Sequence, residues 1–138
     1  MNFFIFILFL TTQIFASNIT LKYEPEIVEL QGTLELRTNP GPPNYESIKL
    51  GDEPEQCYYL KLIQPIDVKP ASNLESLIND VVEKDVNLIQ LSIQKNSLFL
   101  RLRTVGINKK TKLKGQLYHR HTGHHHTEVL MSVDDVIN

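Results

Sequence analysis

One cysteine, Cys57, stands in 138 residues, so no disulfide can close within this chain. Disulfides normally accompany export, and without one an ordinary hydrophobic core must hold the fold. The plainer reading of Cys57 is a small buried hydrophobe, preferred here to a reactive thiol. Charge of one sign is also scarce. Fourteen Lys and Arg face sixteen Asp and Glu, for a net charge of −2. That balance lacks the concentrated basic field of nucleic-acid binders, so no nucleic-acid partner is expected. No apolar run reaches the roughly 20 residues of a bilayer span. A glycine-rich phosphate loop, a nucleophile elbow and a spaced pair of catalytic carboxylates are all missing, which removes the commonest enzyme signatures.

What apolar run there is lies at the start. Phe3 to Leu10 is unbroken, followed by Thr11, Thr12 and Gln13, then Ala16 and Ser17. Roughly 7–15 apolar residues followed by small ones read as a secretory signal peptide, with cleavage after Ala16. The amino end of this segment has no Lys or Arg, and Ile14 replaces the small residue expected before the cut. A buried strand is the competing reading, but eight such residues would need core on every side. The expected organisation is therefore a signal peptide over 1–16 and a single domain over 17–138. No stable membrane span remains after cleavage, and the location is secreted or periplasmic.

Five segments read as strands. Val28-Glu-Leu30-Gln-Gly32-Thr-Leu34-Glu-Leu36 alternates without a break, the mark of a half-buried strand. Tyr58, Leu60, Leu62, Ile66 and Val68 share one parity, with Pro65 demanding an edge or a bulge. Ile89, Leu91 and Ile93 make a third strand, Leu113, Gly115 and Leu117 a fourth, and Val129, Met131 and Val133 a fifth. SNLESLINDVVEK carries apolar residues at 74, 77, 78, 81 and 82 behind a capping box of Ser72 and Glu75, which predicts a helix. NSLFLRLRTVG fits a strand by Leu98, Leu100 and Leu102. It fits a short helix by Leu98, Leu102 and Val105, and the helix is preferred. Leu-x-Gly-x-Leu occurs at 30–34 and again at 113–117, each glycine on the inward parity. Such glycines mark bulges or sharp bends, as at a barrel corner. The fold class expected is mainly β, a small five-stranded OB-like barrel with one or two short helices, preceded by a signal peptide. A plain antiparallel sandwich is the alternative.

The segments VELQGTLELRTNPGPPNYESIKLGDEPEQCYYLKL, IQLSI and KLKGQLYHRHTGHHHTEVLMSV, in that order behind a leader, resemble a bacterial secreted family. It is known as a domain of unknown function, DUF4431. The resemblance runs from about Val28 to Val133, and its specific parts are Gly-Pro-Pro-Asn-Tyr at 41–45 and Thr-Gly-His-His-His-Thr at 122–127. It implies a bacterial envelope protein and brings no established activity. The amino end of the leader departs from the pattern.

All five histidines fall between His119 and His126. They are interrupted and internal, which argues against a purification tag. In an OB-like barrel, strands 2 and 3 and the loops joining strands 1 to 2 and 4 to 5 bind ligands. Those loops would be the proline-rich, acidic stretch 38–56 and the histidine hairpin. A Thr122-Gly123 turn would place His119, His121, His124 and His126 on one face, the ligand number of a tetrahedral zinc site. The same register turns Val129, Met131 and Val133 outward. An odd loop keeps them buried, at roughly 1.5–3 kcal/mol each, and groups His119, His121 and His125. That register is preferred. Zinc, copper and nickel all suit imidazole, so the candidate metal ligands are His119, His121, His124, His125 and His126. Affinity is expected to fall below about pH 6.5 as the rings protonate. The plainer alternative is a solvated or hydrogen-bonded loop with no ion.

From the facing loop, Asp52, Glu53 and Glu55 offer a carboxylate ligand or base, although charged clusters are usually just solvated. Pro42 and Pro43 read as a polyproline II segment, and Tyr45 either projects outward or folds back. The functional expectation is a secreted or periplasmic binding module whose mouth contacts a metal ion, a glycan or another envelope protein. One alternative is a small metal-dependent hydrolase using three histidines and a carboxylate from Asp52, Glu53 or Glu128. The other is an envelope interaction or inhibitor protein whose histidines only pack.

Overall fold

A computed structural model describes residues 16–72 and 77–137. The expected leader, apart from Ala16, lies outside the described residues. The described chain is mainly β, with one α-helix and a six-stranded sheet. Its strands are β1 (Ile19–Lys22), β2 (Ile27–Pro40), β3 (Pro54–Lys69), β4 (Glu83–Ser92), β5 (Lys110–His119) and β6 (Val129–Val136). The sheet order is β1-β3-β2-β5-β6-β4, and β4 also pairs with β3. Following the pairings from β3 through β2, β5, β6 and β4 therefore returns to β3.

Alternation builds the core as the sequence predicts. Val28, Leu30 and Leu34 of β2, Leu60, Leu62, Ile66 and Val68 of β3, and Ile89 and Leu91 of β4 point into one cluster. Leu113 and Leu117 of β5 and Val129, Met131 and Val133 of β6 complete it. The helix α1 (Asn96–Val105) adds Leu98 and Leu102 and ends at Gly106, in agreement with the helical reading of NSLFLRLRTVG.

The two repeated glycines sit where the pairing changes, by partner at Gly32 and by register at Gly115. β2 pairs with β5 over its first half and with β3 over its second, and Gly32 belongs to both registers. A Cβ at Gly32 would stand 2.2 Å from the Lys61 carbonyl oxygen. At Gly115, beside the register shift between β5 and β6, it would stand 2.0 Å from the Ser132 oxygen. Both neighbours are backbone, so neither can rotate away. Pro65 falls within the register shift of the β3–β4 pairing between Lys61 and Ile66, the bulge that its missing N–H demands.

Three expectations are corrected. The strand count is six, because β1 lies parallel to the end of β3 with Ile19 opposite Ile66. The helix expected across SNLESLINDVVEK does not run to Lys84. Residues 73–76 of it lie outside the described residues, Leu77–Asn79 form a single 3-10 turn, and β4 begins at Glu83. Leu77 and Val82, two residues of the proposed apolar stripe, are exposed. Pairing of Glu83 with Val68 and Val86 with Ile66 supplies the backbone partners that decide for strand. Pro42–Pro43 is a cis peptide, unlike the extended polyproline segment expected there. Among the described residues no helix is long and apolar enough to cross a membrane.

Gly32→Ala and Gly115→Ala should each lower unfolding free energy by about 1–3 kcal/mol or more, read from urea midpoints.

Candidate functional site

The hairpin register follows from the core. Leu117 pairs with Met131 and His119 with Val129, so the connection is the nine-residue loop 120–128 and the apolar side chains of β6 stay buried. One further hydrogen bond, from the Arg120 N–H to the Glu128 carbonyl, extends the ladder. Beyond it the chain turns over the outer surface of β4, where Gln90 stands on the opposite parity to Ile89 and Leu91. Its side-chain amide donates to the His124 carbonyl at 2.9 Å, and its oxygen accepts from the His126 N–H at 2.6 Å. The Gln90 N–H donates to Thr127 Oγ1 at 3.1 Å. Gln90 is thus buried with its hydrogen bonds made by the loop that covers it.

The loop between β2 and β3 is shaped by one carboxylate. Asp52 is buried, with Oδ1 accepting from the Asn44 N–H and Oδ2 from the N–H groups of Glu46 and Ser47. The donors from Ser47 and Glu46 hold its carboxyl below the usual range. Asp52 therefore organises its own loop and is spent there. Glu53 is exposed and closes the loop through its backbone, donating to the Pro42 carbonyl and accepting from the Gly41 N–H. Tyr45, at φ 58, folds onto the hairpin, its ring packed so closely on Gly123 that a Cβ there would meet it at 2.7 Å.

The two loops are joined by Glu55. Its Oε1 lies 2.5 Å from His124 Nδ1 and its Oε2 3.0 Å from His126 Nε2. His124 Nε2 in turn meets the Tyr45 hydroxyl at 3.1 Å. Burial pushes the Glu55 carboxyl upward, but the hydrogen bonds from His126 and His124 outweigh it and leave it below its ordinary value. Each oxygen of one carboxylate holds one imidazole of the opposite loop.

The five rings divide three ways. His124 and His126 sit on Glu55. His121 and His125 pack edge to face at 4.6 Å between centroids and both contact Tyr118. The His121 N–H donates to His125 Nδ1 at 3.0 Å. Burial, then the neighbouring positive groups, lower the His125 pKa. His119 turns the other way, its Nε2 3.0 Å from Glu83 and 3.5 Å from Glu128. Neither the four-histidine face nor the set of 119, 121 and 125 forms, because a nine-residue loop fans its side chains toward partners on different strands.

Among the described residues, two groups bring three potential metal donors within 4.8 Å of one another: Glu55, Cys57 and His126, and Glu83, His119 and Glu128. Cys57 is half-buried rather than a core hydrophobe. Burial, with Glu55 nearby, raises its thiol pKa. Three buried polar atoms among the described residues lack a hydrogen-bond partner: Tyr23 Oη, Asn39 Nδ2 and Tyr59 Oη. Asn39 pairs with Glu55 across the strands, and its side chain lies close to those of Tyr59 and Cys57. Beside this group a cleft of about 200 Å³ is lined by Gln90, Ser92, Tyr118, His124 and His125, among others. The sequence pointed to Glu55 and the histidines. It did not point to Gln90 or Glu83, since a lone polar residue inside a strand carries no distinguishing signal.

Residues 88–137 match the family model described as a domain of unknown function, DUF4431. The matched stretch runs from β4 through the histidine loop to β6. No curated protein and no solved structure matches the chain.

Glu55→Gln should release the two loops together. Their amide exchange should quicken by about 1–3 kcal/mol of local opening free energy, while core amides stay protected. The carboxyl is ionised in the folded state below its ordinary pKa, so the link is complete above the carboxylate range. It should be lost as pH falls through the folded value.

Proposed function

We propose that this chain is a small OB-like barrel of the bacterial envelope that binds a transition metal where its two long loops meet. Supporting the barrel is the circuit of pairings through β2, β3, β4, β6 and β5, with α1 between β4 and β5. In such folds ligands bind on the second and third strands, flanked by the loops joining strands 1 to 2 and 4 to 5. Their counterparts here are β3, β4, the 41–53 loop and the 120–128 loop.

The metal reading is carried by one observation: Glu55, Cys57 and His126 offer carboxylate, sulfur and imidazole within 4.8 Å of one another. This mixed donor set suits zinc or copper, and less well nickel. Coordination would deprotonate the raised thiol outright. Beside it Asn39 Nδ2 and Tyr59 Oη are buried without a well-formed hydrogen bond, and both side chains lean on the Cys57 thiol. His124 has both ring nitrogens engaged, by Glu55 and Tyr45, which makes it a positioning residue for Glu55. The ligands are thus one histidine and two residues of β3, in place of the histidine cluster alone. A second reading, capture of a glycan or partner protein by the same face, is favoured by the polar cleft next to Gln90 and Tyr118.

Cobalt(II) in place of zinc reports a sulfur ligand through its thiolate charge-transfer absorption. The untagged chain should show that band, and Cys57→Ser should abolish it. A cobalt titration with no such band overturns the metal reading and leaves the cleft. For the location, expression in a bacterial host with its leader should yield periplasmic protein beginning at Ser17, read by intact mass. Retention of residues 1–16 in the cytoplasm would refute it.

A further inference from the structure

The second donor group shares no residue with the first and is built on His119, the last residue of β5. His119 continues the buried parity of Leu113, Gly115 and Leu117 to the end of β5. Its N–H donates to Asn79 Oδ1 at 2.9 Å, and Asn79 Nδ2 donates to Glu24 at 3.1 Å, which fixes the backbone that carries the ring. Glu83 opens β4. Glu128 closes the histidine loop, with Oε1 bound to Arg120 at 3.1 Å and Oε2 turned to His119. One imidazole nitrogen and one oxygen from each of two carboxylates therefore face one another from three separate segments.

We infer that Glu83, His119 and Glu128 form a binding site for a divalent first-row cation of the zinc or manganese class, independent of the proposed site at Glu55 and Cys57. Donor atoms on one tetrahedral ion at about 2.0–2.2 Å stand roughly 3.3–3.6 Å apart. His119 Nε2 lies 3.0 Å from Glu83 Oε1 and 3.5 Å from Glu128 Oε2, so the group needs little rearrangement to close on a cation. The donors are oxygen and nitrogen without sulfur, which selects against copper(I) and suits zinc or manganese.

A separate observation points to the same place. Tyr23 is fully buried, its ring stands edge-on to His119 at 6.3 Å between centroids, and its hydroxyl has no hydrogen-bond partner. Burial and then the charges of Glu83 and Glu128 hold that hydroxyl well above the usual phenol range. A buried donor left unpaired costs about 1–3 kcal/mol, and a ligated carboxylate or an ion-bound water would satisfy it. Two of the three donors, Glu83 and Glu128, also border open space. β4 pairs with β6 only from Gln90 to Ser92, and alongside its first half a cavity of about 300 Å³ opens, lined by Glu83, Asp85, Asn87, His126 and Glu128 among others.

The test removes the first site and reads the second. In the full chain carrying Cys57→Ser and Glu55→Gln, calorimetric titration with zinc chloride, and separately with manganese chloride, should give one equivalent for at least one metal. Adding Glu83→Gln or Glu128→Gln should weaken it by about tenfold or more, with far-UV circular dichroism unchanged. Glu128 is half-exposed; its variant therefore decides the matter if changes at His119 or Glu83 unfold the chain. Less than about a tenth of an equivalent bound, or equal affinity with and without Glu128→Gln, overturns the site. A cobalt–thiolate band in the wild type alongside that result would leave the Glu55–Cys57 proposal standing.

Discussion

Two glycines inside the strands press so closely on neighbouring backbone that neither has room for a side chain, and the circuit of strands depends on both. At Gly32 the backbone of β2 presses on the Lys61 carbonyl, and at Gly115 that of β5 presses on the Ser132 carbonyl. Close crossing lets β2 leave β3 for β5, and lets β5 shift register against β6. Without those bends the strands would continue straight and the pairings would not return to β3. The return is what brings the connection after β2 beside the connection after β5, although Glu55 and His126 are separated by 71 positions in the chain.

Once the loops are adjacent, polar chemistry fixes them. Three main-chain N–H groups gather on Asp52 and preform one loop. Gln90, inserted from the wall beneath, holds the other by donating and accepting at once. Glu55 then ties the two. The order matters for function: a carboxylate that must engage two imidazoles can do so only if both loops are already shaped. Charge-assisted hydrogen bonds of this kind are about twice as strong as neutral ones, and they are directional. That directionality explains why His124 and His126 face Glu55 while His125, between them, turns to Tyr118.

The ring strands and α1 were legible in the sequence because each buries one face, and a buried face writes a period into the residues. The alternation that runs from Val28 to Leu36 has no counterpart in β1. Its four residues, Ile19 to Lys22, have no fully buried member, so burial left no period to read. The 77–84 segment carried a helical period that the fold overrides, since β3 offered unpaired backbone to Glu83 and Val86. The histidines announced a polar site by identity, and core burial of Val129, Met131 and Val133 correctly selected an odd register. Their destinations were not legible. Glu55 and Glu83 come from other strands, and no local pattern encodes a partner that distant.

The bend in β2 has a further consequence at the margin of the sheet. Where β2 departs, the second half of β3 loses its neighbour on that side, and β1 fills the gap from Ile66 to Lys69. An uncovered stretch there would be a template for another molecule's extended chain. A four-residue cover leaves too short an outer edge to recruit one easily, and Asn18 anchors its start to Asp67 and Asp85. The least conspicuous strand thus serves as a guard against self-association, and the sharp turn that closes the ring is what makes such a guard necessary.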